Sequence, residues 1–535
     1  MDAPKPDWKN MPVRGQVDRA AWHGWGAFAG EFDRSGLRGY NPAVVPARTQ
    51  RPTFALSEKD LLMLEHVKSL APLKVGYLPT HRWRVFSLEA ALRQKAAIEG
   101  KLRALGVDYV GMDGINEHGL LYDPAHADAV VERFKKEKVD AVFAAHCDFG
   151  SEVPVGRVCK GLRKPILLWG PRDTAPQPDK PREGDTQCGL FATSKLFRRL
   201  GLPFTYLVNC RLDDGVFRRG LDVFLRAANV ARCMPGARIG QIDTRPTPFT
   251  STMCNESELL ERFDIQLIPT ALSELTRHVT ERADSREVAD EAEAIRAKVD
   301  AAALDRDRLC RLAGLKLVLK EWSIEQRLDA VAIQCWPALQ NLLGVFCCFV
   351  NGELTDLGVP VACETDVNGA VTAVALQAAA RGEGVPFFAD LTIRHPEDDN
   401  AELLWHCGPF PLSLAHPDSD PAVNGHGMGR WRLKDGDITV GRFDGDNGQY
   451  RFLVGHARTC NGPATGGTYV WAKVGNWPLW EERLMYGPYI HHVVGAYGKL
   501  APALYEGLKY VGVEPELVEP TEAEVQAYLR GQKDL

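Results

Sequence analysis

LKVGYLPTHRWRVFSLEAALRQKAAIEGKLRALGVDYVGMD, residues 73–113, decides the fold class. LKVGYLP is an apolar run of strand length, FSLEAALRQKAAIEGKLRALG (86–106) reads as a helix, and DYVGMD (108–113) returns to a strand. The pattern repeats downstream: AHADAVVERFKKEK (125–138) reads as a helix, VDAVFAAH (139–146) and KPILLWG (164–170) as strands. Strands alternating with helices predict a parallel, doubly wound sheet. A second run opens near TQCGLFATSKLFRRLGLPF (186–204), with strands FTYLVN (204–209), ARIGQID (237–243) and IQLIPT (265–270). It passes through a long charged helical stretch, about 281–328, into the strand LDAVAIQC (328–335). From 356 onward the chain is richer in Gly, Trp and short β runs: DITVGRFDG (437–445), YRFLVGHA (450–457) and GTYVWAKV (467–474).

The expected fold class is therefore α/β. Two doubly wound parallel-sheet (Rossmann-like) domains, 73–180 and 181–355, precede a mixed β-rich α+β C-terminal domain, 356–535. Residues 1–72 form an N-terminal extension rich in Pro, Gly, Trp and Arg. Its one amphipathic piece, SEKDLLMLEHVKSL (57–70), is too little for a core of its own.

Composition narrows the function. Hydrophobic residues at 45% and charged residues at 25% are those of a globular protein. A net charge of −6 leaves no basic footprint for nucleic acid. No apolar run approaches the roughly 18 residues of a membrane span. The longest, NLLGVFCCFV (341–350), has the length of a buried strand or core element, and MDAPKPDWKN (1–10) carries no apolar signal core. The thirteen cysteines are scattered without a C-x-x-C pair, which argues against a disulfide framework and a structural zinc knuckle. Cys335, Cys347, Cys348 and Cys363 lie in apolar runs and read as small core residues. A cytoplasmic location is expected. With no G-x-G-x-x-G and no P-loop, and with GGT (466–468) too short to cradle a phosphate, nucleotide cofactors are not indicated.

Two carboxylates and two histidines carry the chemistry. Glu364 sits in VPVACETDVNGA, Asp390 in VPFFADLTI, His406 in AELLWHCGPF and His492 in GPYIHHVVGAYG. Each lies at or near the end of a stretch that reads as a buried strand, and strand ends rim active sites in α/β folds. The mixed oxygen and nitrogen set suits a divalent ion such as Mn²⁺, Co²⁺ or Mg²⁺ without any thiolate. The same carboxylates can move protons. Elsewhere, LPTHRWRVFS (78–87) places Arg82, Trp83 and Arg84 on a loop after the first strand, where guanidinium and indole suit a polar ligand. His146, Cys147 and Asp148 end a strand in AAHCDFGSE (144–152), and the amide of Gln334 suits a pair of ligand hydroxyls.

At IQCWPALQ (333–340), DLGVPVACETDVNGA (356–370), FFADL (387–391), DDNAELLWHCG (398–408) and HHVVGAYG (491–498) the chain resembles the L-fucose isomerase and L-arabinose isomerase superfamily. The resemblance runs over roughly 73–520 and matches three domains in this order. It implies an aldose–ketose isomerase working through an enediol. Glu364 and Asp390 are then catalytic, and Glu364, Asp390, His406 and His492 hold the metal. It favours His492 over His491, since Gly498 follows His492 by six positions. It also implies a homohexamer in which an arginine of the 78–87 loop, Arg82 or Arg84, reaches a neighbouring subunit's site. The Asp at 390 is fucose-like and the His at 406 arabinose-like, so the sugar stays open. A fucose- or arabinose-like sugar is the first reading. The alternatives are an anionic sugar (sulfonated, acidic or phosphorylated) and a catalytically silent sugar-binding homologue.

Overall fold

Strand β1, Lys74–Thr80, is buried along almost its whole length, as a central parallel strand covered on both faces must be. The computed structural model describes residues 67–535, so most of the expected extension lies outside the described residues. Of that extension, Val67 packs into the core and Ser69 Oγ accepts a hydrogen bond from Gln377 Nε2 at 2.8 Å.

The helix Leu88–Ala104 follows β1, opened by Ser87, whose side chain accepts from the Ala90 N–H. Then come β2 (Asp108–Val110), β3 (Ala141–His146), β4 (Ile166–Trp169) and β5 (Thr205–Tyr206). All pair in parallel, in the order β2-β1-β3-β4-β5. The order reverses between β1 and β3, which opens a crevice at their C-terminal ends. Both polar loops noted in the sequence leave from that crevice. Asp148 organises it: Oδ2 lies 2.5 Å from His81 Nδ1, and Oδ1 accepts the N–H groups of Arg82 and Gly150.

A second parallel sheet holds β6 (Arg238–Ile242), β7 (Gln266–Thr270), β8 (Ala330–Ile333) and β9 (Val361–Ala362), in the order β7-β6-β8-β9. The third sheet is built from β10 (Pro386–Arg394), β11 (Ala401–His406), β12 (Ala422–Val423), β13 (Gly429–Arg432), β14 (Asp437–Asp446), β15 (Gln449–Cys460), β16 (Thr468–Lys473), β17 (His492–Tyr497) and β18 (Glu514–Leu517). Along β16-β11-β10-β17-β14-β15 every pairing is antiparallel, and β15 pairs back onto β16. That pairing closes a six-stranded barrel, which leaves these strands no open edge. The helix Val367–Ala380, buried on every side, packs against β14 and β17 of the barrel and against β8 of the second sheet. Its small residues allow the approach. A Cβ at Gly369 would stand 2.6 Å from the Phe388 ring.

The molecule is thus mixed α/β with parallel sheets and a β-rich, barrel-containing C-terminal part. The sheets do not change at 180/181 or 355/356. The first continues through the helix Thr186–Arg199 to β5, and the second takes β9 from beyond residue 356. One apolar core, with Ile239, Ile333, Val371, Val440 and Val494, runs from the second sheet into the barrel. Two local readings change. NLLGVFCCFV is helical: the helix Ala338–Leu343 ends at Gly344 with φ 67°, and the helix Cys348–Asp356 follows. Short apolar runs do not distinguish a buried strand from a buried helix. The charged stretch near 281–328 is two helices, Arg286–Lys298 and Arg306–Gln326, rather than one. Among the described residues, no helix is long and apolar enough to cross a membrane.

His146, the last residue of β3, is fully buried, and burial pushes its imidazole down to about 4. The unfolded chain takes up this proton below about pH 6.5, the folded chain only near 4. The stability it contributes is therefore intact above about 6.5 and is lost as pH falls toward 4. Denaturant midpoints of wild type and His146→Gln, measured between pH 7 and 4.5, should converge as pH falls. The group's share of the acid destabilisation is on the order of 3 kcal/mol. Parallel curves would show that His146 does not carry this linkage.

Candidate metal centre and active site

Glu364 follows β9 by two residues, at the C-terminal edge of the second sheet, in a left-handed backbone conformation with φ 55°. Such a conformation in a residue with a side chain is strain of the kind that collects at functional sites. The next residue, Thr365, shares it with φ 52°. The turn is held by the Thr365 Oγ1 bond to the Thr244 carbonyl and by Asp366, which caps the helix Val367–Ala380 through the Gly369 N–H. Glu364 Oε1 accepts from Trp336 Nε1 at 3.0 Å, which leaves Oε2 as the outward oxygen.

The other groups come from the barrel. In the antiparallel pairing of β10 with β17, Asp390 stands directly opposite His492. Side chains opposite each other in such a pair share a face. Asp390 is not at the end of its strand: the buried part of β10 stops at Ala389, while the strand runs on to Arg394. His406 closes β11, and His492 opens β17.

These groups converge. His492 Nε2 lies 3.5 Å from Asp390 Oδ1 and 3.9 Å from Glu364 Oε2. His406 Nε2 lies 3.6 Å from Glu364 Oε2 and 4.0 Å from Asp390 Oδ1. Two ligands that share an ion at about 2.1 Å stand at most about 4.2 Å apart, so these separations suit a common ion. Glu364 Oε2, Asp390 Oδ1 and His406 Nε2 are buried and have no hydrogen-bond partner. Buried polar atoms are normally satisfied, so a set of orphans aimed at one point fits a cation held between them.

The electrostatics agree. Burial alone would raise the Glu364 carboxyl, but the nearby His406, then His492 and Trp336, hold it below its ordinary value. Burial alone would lower the His406 imidazole, yet Cys407, Asp390 and Glu364 hold it well above its ordinary value. The pocket thus favours positive charge at its centre.

The two histidines differ in their far nitrogens. His492 Nδ1 lies 2.9 Å from Asp366 Oδ2. A carboxylate there accepts the Nδ1–H hydrogen bond, which holds the proton on Nδ1 and leaves the Nε2 lone pair for a metal. In the neutral ring His406 Nδ1 instead receives the Cys407 N–H at 2.9 Å, which favours a proton on Nε2 directed toward Glu364. His492 is therefore the better-prepared ligand. His491, exposed beside it, has its ring 6.1 Å from that of Phe249. Cys335 and Cys363 also stand near Glu364, but burial pushes the Cys335 thiol up, and the bond with Cys335 together with burial pushes the Cys363 thiol up, which disfavours thiolates there. That leaves an oxygen and nitrogen donor set.

The sequence reading passed over the support beneath these ligands. Asp366 is also paired with the fully buried Arg442, whose Nε and Nη2 bind Asp444 Oδ2 at 2.9 and 2.6 Å. One signal was available: an arginine flanked by Val440, Gly441 and Phe443 within a run that reads as a strand, β14.

The remaining candidates lie elsewhere. Gln334 is at the edge of this centre, where Nε2 donates to the Thr244 carbonyl at 2.7 Å and Oε1 has no partner. Arg82 and Trp83 make their contacts around the first sheet. The Arg82 guanidinium lies 4.5 Å over the Phe149 ring, and Trp83 stacks on Tyr122 at 4.5 Å. Arg84 is exposed on the same loop, with φ 63°.

Comparison with known proteins places these observations. Residues 76–235 match the family model described as the N-terminal domain of fucose/sulfoquinovose isomerase. The match covers the first sheet and stops short of the candidate metal centre. The sulfoquinovose isomerase of Priestia aryabhattai is 24% identical over 397 residues, spanning 72% of this chain and 87% of that protein. The sulfoquinovose isomerase of Alkalicoccus urumqiensis is 26% identical over 297 residues, 54% of this chain and 66% of its own. These similarities support placing the chain with the fucose isomerase-like superfamily.

Proposed function

We propose that this protein is a divalent-metal-dependent aldose–ketose isomerase acting on a sulfonated sugar. The reading is carried by the convergence of Glu364 Oε2, Asp390 Oδ1 and the two imidazole Nε2 atoms on one point. The relatives, named for a sulfonated sugar, favour an anionic substrate over the fucose- or arabinose-like sugar expected first. Glu364, Asp390 and His492 would hold the ion, Mn²⁺ or a similar one, with His406 at its edge. When bound, such an ion supplies Lewis acidity to neighbouring sugar oxygens.

An aldose and its ketose differ in the positions of two hydrogens, one moved between neighbouring carbons and one between their oxygens. Glu364 lies deep, beneath the Trp336 indole, which suits transfer of the carbon-bound proton away from water. The Asp390 side chain is about a fifth exposed, the most open of the set, which suits exchange of the hydroxyl proton. Phe249, 6.2 Å from the His492 ring and near parallel to it, provides an apolar wall.

Elemental analysis after purification with added Mn²⁺ should find the ion bound, and activity should fall with a chelator. Asp366→Asn should weaken metal retention about 10- to 100-fold through the orientation of His492, while His406→Ala weakens it less. No bound metal and indifference to chelation would refute the metal centre.

With saturating metal, Glu364→Gln and Asp390→Asn should each lower turnover of sulfoquinovose at least about 100-fold without loss of fold. Near wild-type turnover in either variant would remove that carboxylate from the catalytic set.

The homohexamer with shared sites remains our proposal, supported by a polar loop at 81–87 whose contacts belong to the first sheet. Mixing inactive Glu364→Gln with inactive Arg82→Ala or Arg84→Ala chains should restore part of the activity. A monomer in solution, or no recovery in verified mixed oligomers, would count against it.

A further inference from the structure

The loop after β6 runs along the same sheet edge as Glu364. In the parallel register Ile242 stands beside Ile333 and Ala332 beside Ala362, so residues following β6, β8 and β9 emerge together. From β8 come Gln334 and Trp336, from β9 comes Glu364, and from β6 comes the segment Asp243–Asn255. The segment is tied to the centre at three points. The Thr244 carbonyl accepts from Gln334 Nε2 at 2.7 Å and from Thr365 Oγ1 at 3.2 Å. Phe249 stands edge-on to Trp336 at 5.5 Å, and the Trp336 indole in turn donates to Glu364. Thr252 Oγ1 reaches the Glu364 carbonyl at 3.5 Å.

Arg245 sits between these anchors. It is half-buried, and its guanidinium makes only long bonds, 3.4 and 3.2 Å, to the carbonyls of Pro246 and Thr247 on its own loop. Among the described residues, no carboxylate pairs with it. Arg442, by contrast, is committed to Asp366 and Asp444. A guanidinium is a planar fork of donors that matches a carboxylate, phosphate or sulfonate, and one without an anionic partner beside a binding cleft is available for a ligand.

We propose that Arg245 determines specificity by recognising the anionic group of the sugar while its carbonyl end lies at the metal centre. The proposal rests on the isomerase reading above. The sheet edge supplies the geometry: Arg245 stands three residues past the end of β6 and Glu364 two past the end of β9, and with only β8 between them the two strands lie about 10 Å apart, a separation on the scale of a sugar with its anionic substituent. The rigid hold on Thr244 limits how far the arginine can swing, which favours a substrate with its charge at a set distance from the reacting carbons.

The test uses the metal-loaded full-length protein with two probes. One is sulfoquinovose, and the other is its neutral analogue lacking the sulfonate, 6-deoxyglucose. Arg245→Ala should lose at least about 10-fold more kcat/KM with the sulfonated sugar than with the neutral one, since a hydrogen bond to a charged group is worth about that much. Arg245→Lys should keep part of the preference, and Arg245→Glu should reverse it. If wild type turns over only the sulfonated sugar, Arg245→Ala should raise KM and largely retain kcat. Equal losses on both sugars, or a fall in kcat at unchanged KM, would assign Arg245 a merely structural role in its loop and overturn the proposal. A wild-type enzyme that isomerises neither probe, with metal bound, would instead overturn the substrate reading itself.

Discussion

Asp366 is the group on which the proposed metal centre and the barrel both depend. It is fully buried, and its carboxylate serves the Gly369 N–H, the Arg442 guanidinium and His492 Nδ1 together. A buried carboxylate alone would be severely destabilising. Burial would raise its pKa, but the charge of Arg442 and the bond to His492 hold it well below the usual carboxylate range. Arg442 is held in turn by Asp444, and Asp444 Oδ1 accepts from Asn368 Nδ2 at 2.8 Å. One network therefore sets the start of the buried helix, the tautomer of His492 and the turn that carries Glu364.

The centre forms where two kinds of sheet meet. A parallel sheet collects the ends of its strands along one edge, and that edge supplies Glu364, Trp336, Gln334 and the loop bearing Arg245. An antiparallel barrel places cross-strand neighbours on a common face, and it supplies Asp390 opposite His492. The buried helix Val367–Ala380 joins the two, starting at Asp366 and lying along the barrel. Because one apolar core runs through both parts, the distances between the groups are set by packing rather than by a hinge. Close-packed surroundings also let Glu364 keep a strained backbone conformation.

The central parallel strands β1, β3, β4 and β8 were legible in the sequence because they are short, apolar runs between helices, a pattern that buried parallel sheets require. The donor residues were legible as polar positions interrupting such runs. Arg245 and Asp366 were not. Arg245 lies in a proline-rich loop with no periodicity, and Asp366 is one of several polar residues in CETDVNG. Its role depends on Arg442, 76 positions away. The 341–350 run was ambiguous for a different reason. Burial on all sides erases the polar alternation that separates a helix from a strand.

What the sequence determined by itself is local: where hydrogen-bonded segments start and stop, which runs must be buried, and which donor atoms the C-terminal part offers to a divalent cation. Closure of the barrel was decided by the tertiary structure, since the β15–β16 pairing depends on register and a one-residue slip would turn each side chain to the other face. The choice of His492 Nε2 as a lone pair was decided there too, because the proton on its other nitrogen answers to Asp366, a residue 126 positions earlier. Local pattern reports burial and backbone geometry. The direction in which a buried atom points, and what it finds there, is set only when distant segments pack.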